Sequence, residues 1–236
     1  MIVNSTELQN NFGKYLFLAA QADITVTRNG IPIAKLSGLN KADTARERTE
    51  AYSAPGSVTF EEFREMTRSS EERYELIDGE VYLLTAPQIA HQYSVTEILA
   101  QFYPWCKERK CMVFTAPNNI TLVRRPGNIN VVQPDLMVIC DLEESLSEDG
   151  YYKGVPALIV EIISESTRSK DLVKKLDLYM GCGVQEYWVV NPLNREVTVY
   201  LFRDHEIGDS KTYRQEEIAL SGIFPGLAIA VNNLFL

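Results

Sequence analysis

GVPALIVEIISEST, residues 154–167, is apolar from Ala157 to Ile163 except at Glu161. A short apolar run bounded by Gly154, Pro156 and Ser164 reads as a strand buried on both faces, not as a half-exposed alternating one. An ionised carboxylate in such a strand is costly unless an opposite charge or a metal compensates it. Upstream, VVQPDLMVIC (residues 131–140) repeats the pattern, with Asp135 directly before the apolar run Leu136–Ile139. Two acids at the edges of two core strands set the terms for the rest of the chain.

Working outward, KDLVKKLDLYMG (residues 170–181) predicts a helix, followed by the strands EYWVV (186–190) and VTVYLF (197–202). Before the acids, Thr59 to Glu62 forms a capping-box pattern ahead of a short helix, and RYELIDGEVYLLT (73–85) predicts two strands around Asp78-Gly79. HQYSVTEILAQFYPWCK (91–107) carries Val95, Ile98, Leu99 and Phe102 at helical spacing, with Pro104 expected to bend or end it. Strands follow at 112–116 and 119–123. Strands interleaved with helices predict an α/β domain over residues 57–236, with a mixed sheet flanked by helices.

If Asp135 and Glu161 lie on neighbouring strands, they can converge on one divalent cation. Mg²⁺ suits such a pair, since water and phosphate oxygens complete its octahedron. A salt bridge from each acid to a nearby Arg or Lys accounts for the same burial. Glu75, in RYELI, admits the reading of a solvent-facing strand residue. His91, at a helix start, either positions a phosphate or water or is a surface histidine. Tyr179, Tyr187 and Trp188 read as core packing.

On an α-helical wheel of about 100° per residue, Leu172, Val173, Leu176, Tyr179 and Met180 define the buried face of the 170–181 helix. Lys175 then lies on the flank of that face, able to run its side chain toward the Glu161 strand, whereas Lys174 points into solvent.

Residues 1–40 form a separate pattern. Ser5 or Thr6 caps a helix carrying Leu8, Phe12, Tyr15, Leu16 and Ala19, and ITVTRNGIPIAKL follows as a hairpin around Asn29-Gly30. So short a unit buries little core alone and is expected to pair with a copy of itself. KADTARERTEAYSAPG, residues 41–56, is polar and reads as a linker.

The formal net charge of −9 argues against a general electrostatic nucleic-acid binder, although residues 1–42 are net basic. The start shows no secretory pattern and no segment is apolar enough to span a membrane, so a cytoplasmic protein with no membrane partner is expected. Cys106, Cys111, Cys140 and Cys182 lack C-x-x-C spacing and read as reduced, partly buried thiols.

STELQNNFGKYL followed by ITVTRNGIPIAKL resembles the Phd/YefM antitoxins. The resemblance implies a small α+β module that forms a homodimer and binds operator DNA, with Arg28 as a DNA contact. The tail with which such antitoxins wrap a toxin is replaced here by the linker and second domain. In residues 58–236, RYELIDGEVYLLTAPQIAHQ, VVQPDLMVIC, GVPALIVEIISEST and KDLVKKLDLYMGCGVQEYWVVNP resemble the Uma-two family of restriction endonucleases. That family is similar to the PD-(D/E)xK nucleases. The resemblance implies a restriction-endonuclease-like fold and a Mg²⁺- or Mn²⁺-dependent endonuclease acting on DNA, with Asp135 and Glu161 as metal ligands, joined by Glu75.

The lysine of an E-x-K motif would fall at Ile163; the resemblance moves that role to Lys175. Glu165 stands where the family carries Pro. Arg168 and Lys170 are candidate phosphate contacts, and His91 a candidate catalytic group. The competing expectation is an antitoxin-like DNA-binding regulator whose larger domain is catalytically silent.

Overall fold

The computed structural model describes residues 1–10, 12–19, 23–28, 30–36, 57–164 and 170–236. The chain divides into two compact units, Met1–Tyr52 and Ser53–Leu236. Among the described residues no helix is long and apolar enough to cross a membrane.

In the first unit, β1 (Ile2–Asn4), helices α1 (Ser5–Asn10) and α2 (Phe12–Ala19), β2 (Ile24–Arg28) and β3 (Ile31–Leu36) build a sheet of order β1-β2-β3. The predicted helix and hairpin are both present. β1 has no clear signal in the sequence; it pairs parallel with β2, Val3 opposite Val26. The helix cap is Asn4, not Ser5 or Thr6: its side chain accepts the Glu7 N–H at 2.8 Å. The core is small, with Val3, Tyr15, Ala19, Ile24 and Val26 at its centre.

The second unit opens with α3 (Phe60–Thr67), capped as predicted: Thr59 Oγ1 accepts the Glu62 N–H and Glu62 accepts the Thr59 N–H. A four-stranded antiparallel sheet follows in the order β5-β4-β8-β7, from β4 (Arg73–Ile77), β5 (Glu80–Leu84), β7 (Ile120–Arg125) and β8 (Asn128–Val132). Asp78 and Gly79 both take positive φ in the β4–β5 turn, the geometry that Asp-Gly suits.

The larger sheet has the order β13-β12-β11-β10-β9-β6. It contains β6 (Met112–Thr115), β9 (Leu136–Ile139), β10 (Leu158–Ile162), β11 (Glu186–Asn191), β12 (Glu196–Arg203) and β13 (Glu206–Arg214). It is mixed: β10 and β11 are parallel, and the other pairs are antiparallel.

One face of this sheet packs on α4 (Ile89–Lys107), where Val95, Ile98, Phe102 and Cys106 meet Leu136, Val138, Leu158, Val160, Ile162 and Trp188. The chain end closes over α4, with Ser94 Oγ donating to the Leu234 carbonyl at 2.6 Å. Pro104 does not end α4, which runs on to Lys107. Burial of Phe102 and Cys106 on either side outweighs the one hydrogen bond that proline removes.

Two expectations fail instructively. Residues 170–175 form a π-helical turn and only Leu176–Gly181 is α-helical. The wider π turn breaks the 100° wheel. Val173, expected on the buried face, is 48% exposed. Lys174, expected in solvent, donates to Glu80 at 2.5 Å and to Tyr82 at 2.6 Å. Cys111 and Cys140 are not reduced thiols but a disulfide. The β6–β9 register pairs Met112 with Ile139, so the next rung sets the two cysteines face to face, Cα atoms 4.0 Å apart. That pairing arises from a strand register linear spacing does not reveal. Cys106 and Cys182 are free.

Candidate active site

The chain leaves the four-stranded sheet at Val132 and enters the six-stranded one at Leu136. Gln133, Pro134 and Asp135 make this crossing, and the candidate residues gather around it. Proline keeps the residue before it extended and ends the β8 ladder, which frees the chain to change sheets.

Glu161 lies in β10 with its side chain 4% exposed. Its Oε1 accepts two hydrogen bonds, from Lys175 Nζ at 2.7 Å and from the Tyr179 hydroxyl at 2.6 Å. Lys175 and Tyr179 are one helical turn apart, so their side chains reach the same point. Lys175 Nζ also lies 2.9 Å from Glu75 Oε1, and that oxygen takes the Gln133 N–H at 3.0 Å. Glu75 belongs to the small sheet and Glu161 to the large one. A buried ammonium therefore ties the two sheets together.

Asp135 completes the group. The β9–β10 register ends at Leu136 opposite Val160, next to Asp135 on one chain and Glu161 on the other. There the Asp135 carboxylate itself accepts the Ile162 N–H at 2.8 Å. Its Oδ2 also lies 3.1 Å from His91 Nε2, in the first turn of α4; both side chains are 18% exposed. The site thus grades from the buried Glu75–Lys175–Glu161 cluster outward to Asp135 and His91.

Charge decides what this arrangement can hold. The carboxylates of Glu75, Glu161 and Asp135 outnumber the one ammonium among them. Clustered acids repel unless cations join them. Among the described residues no three His, Cys, Asp or Glu side chains converge as metal ligands. The donor set fits an ion content with Asp135 and Glu161 and otherwise ligated by water and phosphate oxygen, which describes Mg²⁺. Glu75 is placed as the second partner of Lys175, and its Oε1 is engaged there.

The structure brings Asp135, Glu161, Lys175, Glu75 and His91 together. Lys170 opens the π turn, whereas Arg168 and Glu165 fall outside the described residues. Arg28 is in the other unit, exposed at the end of β2. Ile163, at the E-x-K lysine position, is buried and donates its N–H to Val190. Two participants escape a reading of the sequence. Tyr179 looks like core packing, although its spacing of one turn from Lys175 is a usable signal. Gln133 gives no signal beyond preceding Pro134.

Another buried acid, Glu186, is of a different kind. Trp188 Nε1, Ser221 Oγ and the N–H groups of Gly222 and Ile223 all donate to it, so it anchors the 221–223 loop. Burial nonetheless pushes its carboxyl above the ordinary value.

A solved structure, described as a "putative nuclease belonging to DUF820" from Anabaena variabilis ATCC 29413, shares the fold with TM-score 0.61 at 20% identity, covering 75% of this chain and 97% of that one. The uncharacterised protein slr1290 of Synechocystis sp. (strain ATCC 27184 / PCC 6803 / Kazusa) is 25% identical over 177 residues, which is 74% of this chain and 90% of that protein. Residues 60–232 match the Uma2 family, described as "Putative restriction endonuclease". That match spans nearly the whole second unit and begins beyond the first, and on it the chain belongs to the Uma2 family.

Proposed function

We propose that the chain is a Mg²⁺-dependent endonuclease that hydrolyses phosphodiester bonds in DNA, with Mn²⁺ able to substitute. One observation carries the reading: Lys175, 3% exposed, is held between Glu75 and Glu161, and the residue after Glu161 donates its N–H to Asp135. A buried ammonium beside paired acids is what a phosphodiester site needs, a cationic donor next to a cation-binding edge. Asp135 and Glu161 would hold the ion, which when bound polarises the phosphate and lowers the pKa of an attacking water.

Lys175 offsets charge developing on the phosphate oxygens. Glu75 and Tyr179 fix where that ammonium and the Glu161 carboxylate stand. His91 orients Asp135 through Nε2 and lines the more open side of the site.

The first unit would supply dimerisation and DNA contact. Its edge strand β3 leaves Ile31 66% and Ile33 56% exposed, with Arg28 exposed beside them, on a unit whose own core is small. This unit also offers the recruitment that a net charge of −9 denies the chain as a whole.

The test is incubation of the full chain with duplex DNA, single-stranded DNA and RNA, in Mg²⁺, Mn²⁺ or EDTA. Cleavage of DNA that EDTA abolishes is expected. DNA binding without cleavage under any ion would instead support a regulator with a silent nuclease fold.

A further inference from the structure

Among the buried side-chain atoms of the second unit with no hydrogen-bond partner among the described residues, which include His91 Nδ1 and the Arg124 nitrogens Nε and Nη2, the Gln133 oxygen is the one carbonyl acceptor. Gln133 is 9% exposed, and its Oε1 is buried with no hydrogen-bond partner among the described residues. Other buried amides nearby are used. Asn130 accepts the Asp78 N–H at 2.7 Å and donates to Asn128 at 2.8 Å, and Asn191 accepts from Leu193 and Asn194. Buried carbonyl acceptors are almost always met, because an unmet one keeps its full desolvation penalty.

This acceptor lies at the crossing between the two sheets. The Gln133 N–H holds Glu75. Asp135 follows two residues later, and the Glu75 oxygen that takes the Gln133 N–H also contacts Lys175, the donor to Glu161. The donors around the crossing are already directed elsewhere. Lys175 and Tyr179 donate to Glu161, and the Ile162 N–H donates to Asp135. The Gln133 acceptor therefore needs a donor that the described residues do not provide.

We infer that Gln133 Oε1 accepts a hydrogen bond from the hydration shell of a divalent cation held by Asp135 and Glu161, which makes Gln133 a positioning residue of that site. The inference rests on the metal-dependent reading above. Mg²⁺ and Mn²⁺ sites with few protein ligands keep several waters, and those waters are donors that need neutral acceptors fixed in place. Groups that hold such a shell commonly change metal affinity 10- to 100-fold when removed, on the order of magnitude known for other sites.

The experiment measures Mn²⁺ binding to the full-length protein by calorimetry, beside thermal melts in EDTA, for the parent, Gln133→Leu and Gln133→Glu. Leucine fills similar space and removes the unmet acceptor. Gln133→Leu should weaken Mn²⁺ binding about tenfold or more, while its melting midpoint in EDTA stays level or rises. Gln133→Glu keeps an acceptor at the same reach and should bind Mn²⁺ at least as tightly as the parent.

If Gln133 only secures a buried structural water, the signs reverse. The leucine variant would then melt lower in EDTA and bind Mn²⁺ like the parent, which overturns the inference alone. A parent that binds no Mn²⁺ overturns both this inference and the metal-dependent reading. Should the leucine variant fail to fold, a Gln133→Glu variant that binds Mn²⁺ tenfold more weakly than the parent overturns it as well.

Discussion

Asp135 accepts the main-chain N–H of Ile162 at 2.8 Å, so the β9–β10 ladder ends on a side chain instead of a carbonyl. The bond fixes one candidate acid against the residue that follows the other. Glu161 stands on a core strand and Asp135 is tied to that strand from the crossing just before β9, so neither carboxylate rotates freely, and a site held by strands keeps its geometry better than one built on loops alone. It also means that Asp135 serves the fold as well as the site.

Glu161→Gln should lower Mg²⁺-dependent turnover by roughly 100-fold or more, the scale of losing one electrostatic element of a site. Removing a buried charge that nothing compensates would stabilise a chain. With Lys175 and Tyr179 both donating to Glu161, a stability loss of about 1–3 kcal/mol is expected instead. Turnover and thermal midpoint measured together check both parts; a variant that cuts as well as the parent removes Glu161 from the site.

Lys175→Met and Lys174→Met separate two adjacent lysines. Loss of Lys175 strands Glu75 and Glu161 without their shared counter-charge, at a cost of about 3–5 kcal/mol, and removes the cationic donor from the site. Turnover should fall about 100-fold or more. Lys174 pairs with Glu80 in a partly exposed contact, side chains 39% and 62% exposed, worth about 0–1 kcal/mol. Its loss should leave turnover within a few-fold of the parent. Equal kinetic losses from the two substitutions would refute the assignment of Lys175.

Much of this was legible in advance, for a physical reason. Glu161 and Asp135 break apolar runs, and a charge in a core strand is conspicuous in one dimension. Lys175 stood out through the family resemblance, and the wheel put it on the flank of the buried face although the π turn departs from the α-helix on which that wheel was drawn. What was hidden depends on contacts between distant segments. Gln133 matters because the chain changes sheets there, and Cys111 meets Cys140 only through the β6–β9 register. The outcome for Lys174 was missed because a π turn replaces the α-helix on which the wheel was drawn. Strands β8, β13, β14 (Ile218–Leu220) and β15 (Ala228–Ala230) went unread, since short strands with mixed burial carry little periodicity.

Glu186 predicts a pH dependence unrelated to catalysis. Burial raises its folded-state pKa above the ordinary 4.5. A carboxyl with a raised folded pKa contributes stability that is complete below its unfolded value and is lost as pH rises through the folded one. Glu186→Gln removes that contribution. Chemical denaturation of parent and variant at a series of pH values should therefore show the variant gaining relative to the parent as pH climbs from about 4.5 toward neutrality. A difference that is flat across this window, or runs the other way, would show that the four donors to Glu186 outweigh its desolvation.

The disulfide makes the last prediction, and its size follows from the chain it closes. Cys111 and Cys140 are 29 residues apart in sequence. A cross-link closing a loop of that length restricts the unfolded chain by about 3–4 kcal/mol on the chain-entropy account. The bond also staples β6, the edge strand of the large sheet, to β9, whose other end follows Asp135. Reduction should lower the melting midpoint by roughly 6–16 °C for a chain of this size. The double variant Cys111→Ser, Cys140→Ser should melt at the reduced parent's temperature and ignore added reductant. β6 keeps its hydrogen bonds to β9 without the cross-link, so Mg²⁺-dependent cleavage well below the melting range should survive reduction. A parent whose midpoint does not move with reductant, with its two thiols titrating before any is added, would show that the bond does not form in solution.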